Sequence, residues 1–180
     1  MSIPSEAERF ASNTEILIGA IYECVTKLYN SGYKTVNPIL VLFAKTVISG
    51  YDKDYLIKGF IQNSHEVCWD NIKSRNEEYF AENSADIFKY LPMDKVNLFK
   101  DLFTTKDRDG NSVVSQELKN EVWTIFGAMV KISIKYVHKG RKPYTSQGEK
   151  HYSTEFFPEI DIEKHAATWG LNLDFPEISA

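Results

Sequence analysis

The chain lacks the short motifs that mark common catalytic machineries. It contains no G-x-S-x-G, no phosphate-binding P-loop and no dinucleotide fingerprint. Ser31 and Lys34 form an S-x-x-K without its companion motifs, and His65-Glu66 begins an HExxH in which Trp69 stands where the second histidine belongs. Cysteine is scarce. Cys24 and Cys68 are too few for a disulfide framework, and both lie among apolar neighbours in helical patterns, as buried free thiols do. His65 and Cys68 have the spacing of half a zinc site, but no second pair follows. Long apolar runs are missing too: Ile39 to Ala44 is far too short to cross a bilayer. The opening MSIPSEAERF has no extended apolar region, so no secretory signal is expected. A net charge of -4 argues against general affinity for nucleic acid, which needs an excess of Lys and Arg. The expected setting is reducing and intracellular, cytoplasmic or otherwise, or inside a virion, with no membrane association.

What is present is helical periodicity in a chain of 180 residues, long enough for one domain with a substantial core. The longest such segment runs from Ser115 to Lys139. Val122, Ile125, Phe126, Met129, Val130, Ser133, Ile134 and Val137 recur at three- and four-residue steps and form one stripe. This predicts a central helix around which the others pack, although VKISIKYV at 130–137 also alternates with strand period. The expected class is all-α: a single helical bundle of about seven helices over residues 1–139. Residues 140–180 are expected to be a C-terminal docking arm, extended and not an independent domain.

Local signals place the other helices. Ser5 with Glu8, and Ser12 with Glu15, have capping-box spacing, predicting a short helix and then a firmer one from Asn13 to Asn30. Leu17, Ile21, Cys24, Val25 and Leu28 line one face of the second. Pro38 suits a first helical turn, and residues 38–49, apolar nearly all round, predict a helix buried on most sides. Asp52 and Ser64 are candidate caps of the next two helices. A brief turn at Tyr79-Phe80, a helix from Ser84 to Pro92 and another capped by Asp94 are expected before the turn DRDGNS.

Four groups of residues could carry function. In the arm, Phe157-Pro158-Glu159-Ile160 recurs as Phe175-Pro176-Glu177-Ile178, and Trp169 adds a large ring; Phe157, Pro158, Ile160, Trp169, Phe175, Pro176 and Ile178 are candidate contacts to a protein partner or a second copy. Lys131, Lys135, Lys139, Arg141 and Lys142 crowd the end of the central helix, where cations suit its dipole and could also hold an anion. His65, Glu66 and Trp69, with the acids near Asp52, are the scattered set from which a small enzyme or ligand-binding site could be assembled.

The fourth group lies in FKDLFTTKDRDGNSVVSQEL, from Phe99 to Leu118, which resembles an EF-hand. The resemblance implies calcium, with Asp107, Asp109 and Asn111 as the first ligands and Glu117 as the closing one. The loop from Asp107 to Glu117 has eleven residues, one fewer than the family's twelve. The alternative is a helix–turn–helix corner with Ser115 as N-cap. More broadly, the text from Ser64 to Lys142, with SHEVCWDNI, EEYFAEN and DIFKYLP, resembles uncharacterised proteins of large DNA viruses, which implies a virion or infection-stage role. With no catalytic set, the leading expectation is a non-enzymatic interaction or structural protein.

Overall fold

The computed structural model describes residues 4–33, 37–65, 67–87, 89, 102–141, 143–152 and 156–173. The class is all-α, with one small hairpin. Helices α1 (Glu6–Asn30), α2 (Pro38–Ser49), α3 (Lys53–Ser64), α4 (Val67–Lys73) and α5 (Glu77–Ile87) precede α6 (Gln116–Gly140). Strands β1 (Pro143–Ser146) and β2 (Glu149–Tyr152) and helix α7 (Ile162–Thr168) follow.

Two helices of 25 residues each, α1 and α6, form the axis of the bundle. They run antiparallel. Glu6 at the start of α1 meets Lys139 at the end of α6, and Tyr33 just past α1 donates its hydroxyl hydrogen bond to the Lys106 carbonyl ahead of α6. Every member of the predicted stripe on α6 is buried, and so is the expected face of α1. Burying side chains of this size contributes about 1.5–3 kcal/mol each. The 130–137 segment is helix, because its Val130, Ser133, Ile134 and Val137 continue the stripe that began at Val122. Ser133, fully buried, donates to the Met129 carbonyl at 2.8 Å and so leaves no orphan hydroxyl in the core.

The caps differ in part from expectation. The Ser5–Glu8 capping box is present, and from it α1 runs unbroken to Asn30. Ser12 and Glu15 therefore lie inside a helix: one amphipathic face continues from Ala7 and Phe10 to Leu28, so nothing stops the chain at Ser12. Asn37 caps α2, with Pro38 in the first turn, and Asp52 caps α3. Ser64 belongs to α3 and accepts the indole N–H of Trp69 at 2.9 Å. Tyr79 through Ile87 form one helix, α5. The expected helix from Asp94 falls outside the described residues up to 101, while Leu102 and Phe103 are buried.

Aromatic packing fills the body. Phe80 lies 5.3 Å from Trp123 and 4.9 Å from Phe126, and Phe103 stacks on Trp123 at 5.1 Å. Phe10 meets Phe60 at 5.3 Å.

Helix α2 departs from the sequence expectation. Only Val41, Ala44 and Ile48 are buried, against α1. Ile39 (69% exposed), Leu40 (49%), Leu42 (44%) and Phe43 (67%) face outward. The helix is apolar on more sides than α1, its principal neighbour among the described residues, covers.

The arm is partly folded onto the body. Ile160, Ile162 and Ala166 belong to the same core as α1 and α6, with Phe156, Phe157, Trp169, Leu171 and Leu173 packed against it. The hairpin β1–β2 was not foreseen. Its two-residue turn, Gln147-Gly148, has φ of +53° and +81°, the pair of left-handed residues that closes a tight antiparallel hairpin in register Ser146 to Glu149. The first Phe-Pro-Glu-Ile copy is a turn, with the Ile160 N–H donating to the Phe157 carbonyl at 3.1 Å. The second copy, Phe175 to Ile178, lies outside the described residues.

Gly140 is where the arm leaves the central helix, and a Cβ there would stand 2.5 Å from Phe156 Cδ1. We expect Gly140→Ala to force the Phe156 ring away and to lower stability by about 1–3 kcal/mol in urea unfolding. Gly19→Ala, where the added methyl meets nothing within 4 Å, is the control and should not destabilise the fold.

Candidate functional sites beside the central helix

The fold distributes the cluster of cations expected at the end of α6. Arg141 is buried, and its guanidinium donates to three carbonyls of the arm: Phe156 at 3.2 Å, and Phe157 and Ile160 at 2.6 Å each. Burial lowers its pKa from the ordinary arginine value, while Asp161, Glu159 and Glu163 act the other way. Arg141 therefore serves as the clamp that fastens the arm. An anion-binding role for it is at odds with a fork directed inward at backbone oxygens.

Lys139 takes a different partner. Its ammonium donates to both carboxylate oxygens of Glu6 at 2.8 Å. Burial alone would raise the pKa of Glu6, but the hydrogen bond and charge of Lys139 outweigh it and hold the carboxyl below its ordinary value. Each charge also lies at the favourable end of its helix, Glu6 in the first turn of α1 and Lys139 in the last of α6. Beside the pair is a cleft of about 420 Å³, lined by Ser5, Asp54, Tyr136, Gly140 and Phe156 as well. In it Tyr136 donates to Asp54 at 2.7 Å, and burial together with that carboxylate pushes the phenol's pKa up. Lys135 is half-buried, and Lys142 lies outside the described residues.

Lys131, exposed, lines a second cleft of about 440 Å³ on another side of α6. Its lining also includes Trp123, Thr124, Gly127 and Ala128 of α6, Trp169, Ile72 and Lys73 of α4, and Arg75 just past it. The Lys73 ammonium donates to the Thr168 carbonyl and sits 5.9 Å from the centre of the Trp169 ring. Sequence spacing could not bring Lys73 and Arg75 to Lys131. Of the expected arm contacts, Ile160 is buried, Phe157 and Trp169 are half-buried, and Pro158 is exposed.

The EF-hand-like loop closes on its own backbone. Asp107 accepts N–H bonds from Asp109 at 2.9 Å and Asn111 at 3.0 Å, and its own N–H donates to the Asn111 carbonyl at 2.8 Å. Gly110 takes φ +82° in the turn. Glu117 lies in the first turn of α6, behind the N-cap Ser115. Among the described residues no three or more His, Cys, Asp or Glu side chains group as a metal site.

The scattered set around His65 does not converge. His65 caps the C-terminus of α3, and Asp52 caps its N-terminus, so the two stand a 12-residue helix apart. His65 Nε2 lies 3.9 Å from Glu159, Trp69 is fully buried against His165 at 5.0 Å, and Glu66 lies outside the described residues. Among the described residues no helix is long and apolar enough to cross a membrane. No family model, curated protein or solved structure matches the chain.

Burial pushes the Cys24 thiol up to about 11 and the Cys68 thiol up to about 12. Both should stay unreacted toward a disulfide reagent at pH 8 in the native protein, and both should react once urea unfolds it. A native-state reaction at either one would contradict the burial. For Glu6 the sign follows from its lowered folded pKa. Its pairing stabilises the fold above the ordinary value of 4.5 and is lost as pH falls through the lower folded value. Glu6→Gln should therefore cost about 1 kcal/mol at pH 7, and the difference from the parent chain should shrink toward pH 3 in parallel melts.

Proposed function

We propose that this is a non-enzymatic interaction protein: a helical body, completed by its own C-terminal arm, that associates with a second copy of itself through the outer face of α2. The observation that carries the reading is the outward row of Ile39, Leu40, Leu42 and Phe43 on a helix whose other side is already packed on α1. These four side chains leave on the order of 500 Å² of apolar surface in water, at the upper end of what a monomer exposes in one patch.

Charge favours a second copy as the occupant. Helix α2 carries one cation, Lys45, and no acid, so the face gives an acidic or basic partner little to read. Laid against its own twofold mate, it sets apolar groups opposite apolar groups. A stable interface covers about 800 Å² per partner, so α2 supplies more than half and its rim the rest, which suits a dimer of micromolar strength. The arm, which was expected to make this contact, has Ile160, Ile162 and Ala166 inside its own core. For the setting, the resemblance to proteins of large DNA viruses implies a structural or infection-stage component.

Sedimentation of the full chain between about 1 and 100 μM should show a monomer–dimer equilibrium, shifted to monomer in the double variant Ile39→Ser, Phe43→Ser without loss of helix content. A chain that is monomeric throughout that range, or a dimer that survives the double substitution, would overturn the reading.

A further inference from the structure

The cleft between α4, α6 and Trp169 has the makings of a ligand site that the interaction role does not require. Its lining contains three cations, Lys73, Arg75 and Lys131, and no Asp or Glu among the described residues. The rest is apolar and partly rigid. Trp123 is fixed by its stack on Phe103 and its edge contact with Phe80. Trp169, half-buried, reaches over Gly127, its Cζ3 3.6 Å from where a Cβ there would stand. Thr124, Gly127, Ala128 and Lys131 follow at helical spacing along one side of α6. About 440 Å³ is the size of a small organic molecule's pocket.

The cations differ in how they are held. Lys73 is bound to the Thr168 carbonyl. Arg75 gives one nitrogen, Nη1, to Asn120 Oδ1 at 3.2 Å, which orients its guanidinium and leaves further donors. Arg75 also has φ +53° just past α4, a left-handed backbone state that glycine adopts more readily. The exposed ammonium of Lys131 has no acidic or carbonyl partner among the described residues. The Trp169 indole N–H is likewise buried without an acceptor.

We propose that this cleft binds a small amphipathic organic anion, an aromatic or other flat apolar body carrying a phosphate or a carboxylate. The apolar body packs on the half-buried Trp169 ring beside Ala128, and the anionic group meets Lys131 and Arg75. Either half alone uses only part of the lining: inorganic phosphate leaves the exposed part of Trp169 uncovered, and a neutral ring leaves the cations unanswered.

The test titrates the full chain with phenyl phosphate, phenylacetate, inorganic phosphate and benzyl alcohol, following the three indole N–H signals by two-dimensional NMR. Trp69, bonded to Ser64, is the internal reference. Phenyl phosphate or phenylacetate should shift the Trp169 signal and saturate below about 1 mM, at least about tenfold tighter than inorganic phosphate or benzyl alcohol. Which of the two binds more tightly identifies the anionic group. Lys131→Gln, at an exposed position, and Arg75→Gln should each weaken binding about fivefold or more while the Trp69 signal stays in place. No saturable shift below about 10 mM, equal binding by inorganic phosphate, or an affinity unchanged in Lys131→Gln would overturn the proposal.

Discussion

Everything else in this structure depends on the burial of one stripe, Val122 to Val137 on α6, against the face of α1 that runs from Phe10 to Leu28. The two helices are long and antiparallel. Their pairing therefore sets both ends of the bundle at once: Glu6 comes to Lys139 at one end, and Tyr33 to Lys106 at the other. The remaining helices fill in around that axis. Aromatic rings from α5, from residue 103 and from α6 meet around Trp123 in the core.

The second constraint is the clamp at Arg141. A buried guanidinium needs several acceptors, and the arm supplies three backbone carbonyls within 3.2 Å. Holding the chain there lets Ile160 and Ile162 enter the core and brings α7 onto α6. Trp169 follows α7 directly, so the same clamp positions one wall of the basic cleft. Gly140 admits Phe156 on the opposite side, and Phe156 lines the cleft beside Glu6 and Lys139. One arginine thus helps shape both clefts without lining either.

The surfaces left over are unlike one another, and that bears on function. Helix α2 offers a nearly uncharged apolar face, while the cleft beside Lys131 offers cations among indoles. The first suits a large, shape-matched partner such as a second copy. The second suits a small molecule with an apolar body and an anionic end. The two proposals rest on different residues and can stand or fall separately.

The amino-acid order by itself determined the helical class, the central helix with its inward stripe from Val122 to Val137 (though not the burial of Leu118, Lys119 and Trp123), and the caps at Ser5, Asp52 and Ser115. These are local properties: a 3.6-residue period and a side chain placed to accept one backbone N–H act within a few residues. It also marked Asp107 to Asn111 as a turn. Only the tertiary structure decided which apolar faces found a neighbour. Residues 38–49 are greasy on most sides, yet whether Phe43 is covered depends on what packs beside α2, and period says nothing of that. The same holds for the cations. Lys131, Lys139 and Arg141 look alike along the chain, but the antiparallel pairing gives Lys139 to Glu6, the returning arm turns Arg141 inward, and α4 brings Lys73 and Arg75 to Lys131 from more than fifty residues away in sequence.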